Sequence, residues 1–253
     1  MSVRNLFGAS PKVLYTASSR YSGKINVWEK EGSLVLEVGG YPQSVSLNTP
    51  DLPRRYWYKA VEEVGSRLTE PVRALLVGVG GGTILHLLSR KFPKLRMIGV
   101  EIDEEILKIA RQFFELDKIP NLEVVVGEGG EYISSYICDS KITTEQREVA
   151  RDHRSRPTER KRGQYQGEPF DLVFVDAYLG GNFPLHFEEE QLLRHLRRIA
   201  NPKGLIVINR AGGFSHSQFG ALLGRVFGKV EMVKIPLPGF LGGMGGNFLY
   251  LCR

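Results

Sequence analysis

Apolar positions come in short alternating runs over the first fifty residues and in longer blocks afterwards. Val13-Leu14-Tyr15, Ile25-Asn26-Val27-Trp28 and Leu34-Val35-Leu36-Glu37-Val38 are separated by Ser-, Gly- and charge-rich turns at 21–24 and 29–32, the pattern of short strands. It predicts a small antiparallel sheet, ended by Gly39-Gly40-Tyr41-Pro42-Gln43-Ser44. Asn48-Thr49-Pro50-Asp51 breaks the chain before a helix expected over 52–68, carrying Tyr56, Trp57, Tyr58, Val61 and Val64.

The organising stretch follows. The apolar run Ala74-Leu75-Leu76-Val77 ends in Gly78-Val79-Gly80-Gly81-Gly82, which opens onto the helical pattern Thr83-Ile84-Leu85-His86-Leu87-Leu88. A second apolar run, 95–100, stops at Glu101-Ile102-Asp103. Strand, tight turn, helix, strand, acid is the unit that places a turn and a carboxylate side by side at the carboxyl ends of a doubly wound sheet. Gly78 and Gly80 permit the turn, and Gly82 permits close helix packing. Glu101 falls nineteen positions after Gly82, where a carboxylate can accept both hydroxyls of a ribose. The bland alternative is a doubly wound fold whose glycines serve turn geometry only.

Downstream, Asp103-Glu104-Glu105 places carboxylates at the positive end of the next helix, whose stripe of Ile106, Ile109, Ala110, Phe113 and Phe114 reads as core. A third strand, 122–126, ends at Gly127-Glu128-Gly129-Gly130, and a helix is expected around 132–137. The near-continuous apolar run Phe170-Asp171-Leu172-Val173-Phe174-Val175, ending at Asp176-Ala177-Tyr178, is typical of a buried parallel strand. Helices near 188–199 and 217–227, strands near 205–209, 230–235 and 248–251, and a Gly-rich loop at 238–247 complete the chain. The reading is an α/β protein: a doubly wound, seven-stranded, mostly parallel Rossmann-like sheet over 51–253, with a small antiparallel β domain over 1–50.

Residues 139–168 break this pattern. Between Lys141 and Glu168 stand eight Lys or Arg and five Asp or Glu, which reads as a mobile basic surface insertion. A nucleic-acid or acidic-protein contact through 147–162, including Arg147, Arg151, Arg154, Arg156, Arg160, Lys161 and Arg162, is the less favoured reading. No aromatic residues interleave that cluster for stacking.

Composition adds bounds rather than identity. The 253 residues are 42% hydrophobic and 25% charged, with a net charge of +6, ordinary for a globular chain. No run reaches the length of a membrane span and the N-terminus lacks a secretory apolar segment, so a cytoplasmic location without membrane association is expected. Cys138 and Cys252 read as free thiols, and two cysteines with five scattered histidines give no metal-ligand spacing.

Taken in order, Val77-Gly78-Val79-Gly80-Gly81-Gly82-Thr83, Gly99-Val100-Glu101-Ile102-Asp103, Gly127-Glu128-Gly129, Val175-Asp176-Ala177-Tyr178 and Pro184-Leu185-His186-Phe187 resemble the spermidine synthase family. The match is to its spermidine-synthase-like branch, which shares the class I S-adenosylmethionine methyltransferase fold. Gly40-Tyr41-Pro42-Gln43-Ser44 and Tyr58 resemble that family's hairpin end and first helix. The resemblance implies aminopropyl transfer from decarboxylated S-adenosylmethionine to a small-molecule amine, leaving 5'-methylthioadenosine, without a metal and commonly in a homodimer. Methyl transfer from S-adenosylmethionine and a non-catalytic nucleoside-binding role are the alternatives.

It implies cofactor contacts at Gln43, Gly78, Gly80, Gly82, Glu101, Asp103, Glu128 and Gly129. Glu101 would hold the ribose and Glu128 would stand where the family's acid meets the adenine amino group. Tyr58 and Asp176 would face the amine, with Asp176 and Tyr178 as catalytic groups. The chain departs from the pattern at Leu179, where full spermidine synthases carry a second acid, and at Gly80, where they carry an aspartate.

Overall fold

The computed structural model describes residues 11–139, 167–179, 182–211, 216–236 and 246–253. The basic insertion at 140–166 and most of the Gly-rich loop at 238–247 lie outside the described residues, as do the first ten.

Four strands open the chain: β1 (Lys12–Ser19), β2 (Gly23–Lys30), β3 (Ser33–Val38) and β4 (Tyr41–Val45), paired antiparallel in sequence order. The fourth was not expected, because Gly39-Gly40 reads as the end of the sheet. Both glycines instead adopt positive φ, +58° and +86°, the backbone of a two-residue hairpin turn that lets the next strand pair back. This small sheet buries Ile25, Val27, Leu36 and Val38 against Ile106 and Ile109 of the third helix.

A 3-10 turn, Leu52–Arg54, leads into α1 (Tyr56–Gly65). The expected helix over 52–68 is therefore shorter, with Pro53 confined to the 3-10 turn ahead of it. The main sheet follows: β5 (Arg73–Val77), α2 (Thr83–Lys91), β6 (Arg96–Glu101), α3 (Glu104–Phe113), β7 (Leu122–Val126), α4 (Gly129–Asp139), β8 (Phe170–Val175), α5 (Glu190–Ile199), β9 (Ala200–Ala211), α6 (His216–Val226), β10 (Val230–Pro236) and β11 (Gly246–Cys252).

Strand order is β10-β11-β9-β8-β5-β6-β7. The five strands from β9 to β7 run parallel and β11 is antiparallel to both its neighbours. The expected doubly wound, seven-stranded, mostly parallel sheet is thus present.

Both faces of the sheet are buried, as a parallel sheet requires. Ala74 and Leu76 of β5 point into one core with α1 and α2. Leu75 and Val77 point into the other with α4, α5 and α6. Among the described residues no helix is long and apolar enough to cross a membrane.

Candidate active site

Strand register builds the site. Val77 of β5 pairs with Val100 of β6 and Val175 of β8, and Val175 pairs with Ile208 of β9. The next residue on each strand is Gly78, Glu101, Asp176 and Asn209. Four adjacent parallel strands therefore deliver these residues in a single row at their carboxyl ends, where such sheets bind ligands.

Backbone bonds hold the row together: Gly78 N donates to Val100 O (2.9 Å) and Asp176 N to Val77 O (2.8 Å). Gly78 has φ +91°, and a Cβ there would stand 2.3 Å from Asp176 O. Only glycine lets the turn and the aspartate lie this close.

Glu101 is tied to the glycine turn. Its Oε2 accepts from Val79 N (3.0 Å) and Gly80 N (3.2 Å), and its Oε1 from Asp103 N (3.1 Å). Burial raises its pKa, against those three N–H groups. A carboxylate has roughly four acceptor positions, so a diol that takes both oxygens shares them with the turn.

The small sheet supplies the opposite wall. Ser44 Oγ accepts from Gly81 N (2.7 Å), and Thr83 Oγ1 bridges Val45 N (3.0 Å) and Val45 O (2.7 Å). These bonds clamp β4 to the turn and bring Gln43 into the pocket wall. Neither Ser44 nor Thr83 was singled out from sequence as a contact, because the partners stand 37 and 38 residues apart.

Asp176 is held by side chains. Asn209 Nδ2 donates to its Oδ1 at 2.7 Å, and the buried Tyr56 hydroxyl stands against the carboxylate without a well-aligned bond. Burial pushes the Asp176 pKa up from 3.8 to about 6, with Asn209 and Tyr56 opposing. Burial and the Asp176 charge in turn raise the pKa of Tyr56. Asn209 is 2% exposed, and its Oδ1 has no hydrogen-bond partner. Its backbone carbonyl accepts from the Tyr178 hydroxyl (3.2 Å), which itself accepts from Ala211 N (2.6 Å). The Tyr178 hydroxyl is thus engaged with β9, and burial raises its pKa.

Gln43, Gly78, Gly80, Glu101, Glu128, Gly129, Asp176 and Tyr178 all line one open pocket of roughly 960 Å3, counting its mouth. Glu128 also caps α4, accepting from Gly130 N (3.0 Å) and Glu131 N (2.8 Å), and its Oε1 lies 3.0 Å from His186 Nε2.

Three expected site residues stand elsewhere. Gly82 caps α2 with φ +84° and packs toward Leu116. Asp103 is 3% exposed, caps α3 through Glu105 N and accepts from the Ser19 and Ser22 hydroxyls of the β1–β2 turn. Tyr58 packs against the core, while its neighbour Trp57 lines the pocket. Among the described residues no group of three or more His, Cys, Asp or Glu could hold a metal ion.

A spermidine synthase in complex with the transition-state analogue AdoDATO superimposes with a TM-score of 0.67 at 15% identity, covering 95% of this chain and 73% of that one. The fold is the spermidine-synthase-like form of the class I methyltransferase fold. Residues 71–144 of this methyltransferase-type fold match the family model described as "Putative methyltransferase".

Among curated proteins, the polyamine aminopropyltransferase of Vibrio vulnificus (strain CMCP6) is 26% identical over 171 residues, 66% of this chain and 47% of that protein. An eEF1A lysine and N-terminal methyltransferase homolog of Drosophila melanogaster is 29% identical over 136 residues, 53% of this chain and 17% of that protein. The chain thus spans about half the length, or less, of these relatives.

Proposed function

We propose that the protein is a transferase that moves a carbon group from a nucleoside sulfonium to an amine, with aminopropyl transfer from decarboxylated S-adenosylmethionine as the first reading. The single observation that carries it is the row of Gly78, Glu101 and Asp176, which puts a nucleoside-sized cradle next to a carboxylate with a raised pKa. The cradle fits the donor: positive-φ glycines leave the turn open, and Glu101 offers acceptors to a ribose. Gln43 and the Gly127–Gly129 backbone line the rest.

The bound donor supplies an electrophilic carbon on a positively charged sulfur. The chain's own groups prepare the nucleophile. An amine attacks only when neutral, so a carboxylate that orients it and helps take its proton assists the reaction. The Asp176 pKa of about 6 keeps it ionised at neutral pH yet basic enough to assist. The amine lone pair forms the new C–N bond, the C–S pair leaves to sulfur as a neutral thioether, and the amine's surplus proton passes to Asp176 or water. Holding the two reactants in line is worth on the order of 7–11 kcal/mol.

Methyl transfer from S-adenosylmethionine is the second reading. Gly80 puts no carboxylate against the donor's tail, so a donor that retains its own carboxylate meets no like charge from that position. The methyltransferase names of the family model and of the Drosophila relative support it too.

Incubation with either donor and an amine panel, followed by mass spectrometry, tests the proposal. A mass gain of one aminopropyl or one methyl group on an amine is expected. Absence of both, with full occupancy of the pocket by methylthioadenosine in calorimetry, overturns it in favour of a binding protein.

A further inference from the structure

We infer that the acceptor is a monoamine with an apolar flank, not a diamine; this rests on the transferase reading and specifies the acceptor half of the same pocket. Three carboxylates line the pocket among the described residues: Glu101, Glu128 and Asp176. Glu101 accepts three backbone N–H bonds and Glu128 accepts two. Glu128 also stands 3.0 Å from His186 Nε2, whereas Asp176 takes its hydrogen bonds from side chains alone and has Tyr56 and Tyr178 beside it. One carboxylate in this position serves one ammonium group.

Beyond Asp176 the wall turns apolar. Leu179 lines the pocket three residues later, 37% exposed, and is fixed by paired backbone bonds with Asn182 (2.8 and 3.0 Å). Pro184 and Phe187 line the same wall. A four-carbon diamine that places one nitrogen on Asp176 and lies along Leu179, Pro184 and Phe187 gains no counter-charge from those side chains for its second ammonium, which is costly. An alkyl or aryl group there buries apolar surface instead. A free amine and the amino end of a peptide with an apolar first residue present the same chemistry.

The experiment compares putrescine, hexylamine, phenethylamine and a short peptide beginning with Leu, each with both sulfonium donors, by kcat/KM from product mass. Monoamine or peptide turnover exceeding that of putrescine by about tenfold is expected, and which of the two wins identifies the source. The variant Leu179→Asp, on an exposed site and checked for retained methylthioadenosine binding, is expected to shift the ratio toward putrescine by about tenfold or more.

Preference for putrescine by the natural chain, or a ratio unmoved in L179D, overturns the inference and leaves the transferase reading standing. No product from any amine with either donor overturns the transferase reading and the inference together.

Discussion

Asn209 and Asp176 form a 2.7 Å hydrogen bond across β9 and β8, and the same asparagine's carbonyl receives the Tyr178 hydroxyl. One residue on a neighbouring strand thus sets both the carboxylate and the ring beside it. Asn209→Leu removes the donor and leaves Tyr178 its backbone partner. A hydrogen bond to a charged group is worth about 1.5–3 kcal/mol, so turnover is expected to fall about tenfold or more. The acidic limb of its pH profile moves upward from about 6, while methylthioadenosine affinity stays within about twofold. A pH profile of kcat/KM checks this.

Asp176→Asn separates chemistry from stability. Turnover is expected to vanish while nucleoside binding persists. Asp176 ordinarily titrates at 3.8 and here at about 6. Between those values the folded chain binds more protons than the unfolded one, so stability falls as pH rises through that window. Above about pH 6 the full cost of burying the charge is present, about 2–3 kcal/mol. Asp176→Asn should therefore raise Tm at pH 7.5 and leave it nearly unchanged at pH 3.5, as read by thermal unfolding at the two pH values.

Glu101→Gln replaces one acceptor oxygen with an N–H2 that faces the donors Val79 N, Gly80 N or Asp103 N. Nucleoside affinity is expected to drop about 10- to 100-fold, measured by calorimetry with methylthioadenosine. Unchanged affinity would separate Glu101 from the ribose.

Gly78→Ala drives a Cβ to within 2.3 Å of Asp176 O at a φ of +91°. Backbone must shift, at about 1–3 kcal/mol, and the shift moves the Asp176 carboxylate. Loss of turnover larger than the loss of nucleoside affinity is expected. Equal losses in the two assays would show that the turn and Asp176 move independently.

The core of the fold was legible because parallel strands buried on both faces leave long apolar runs, such as Leu172 to Val175 and Ala74 to Val77. The glycine turn, Glu101 and Asp176 were legible because each closes such a run. Asn209 was not, since it ends an apolar run with no charge to mark it and its partner is 33 residues away. Ser44 was hidden for the same reason. Tyr58 and Trp57 are adjacent in α1 and differ by about 100° in direction, a phase that the sequence pattern leaves open and that turns Trp57 to the pocket. Glu128 lines the pocket as its sequence position implied, and its oxygens also cap α4, a local bond that the adjoining glycines do not announce.

The common row of Gly78, Glu101, Asp176 and Asn209 turns the sheet into a ruler. Losing one residue inside β5, β6, β8 or β9 would retract that strand's tip by about 3.3 Å and turn its last side chain to the opposite face. Such a deletion should erase reactivity more completely than any single substitution at the tip. Leu179 stands beyond the graduations and still lines the pocket, so a substitution there changes the wall without recalibrating the instrument.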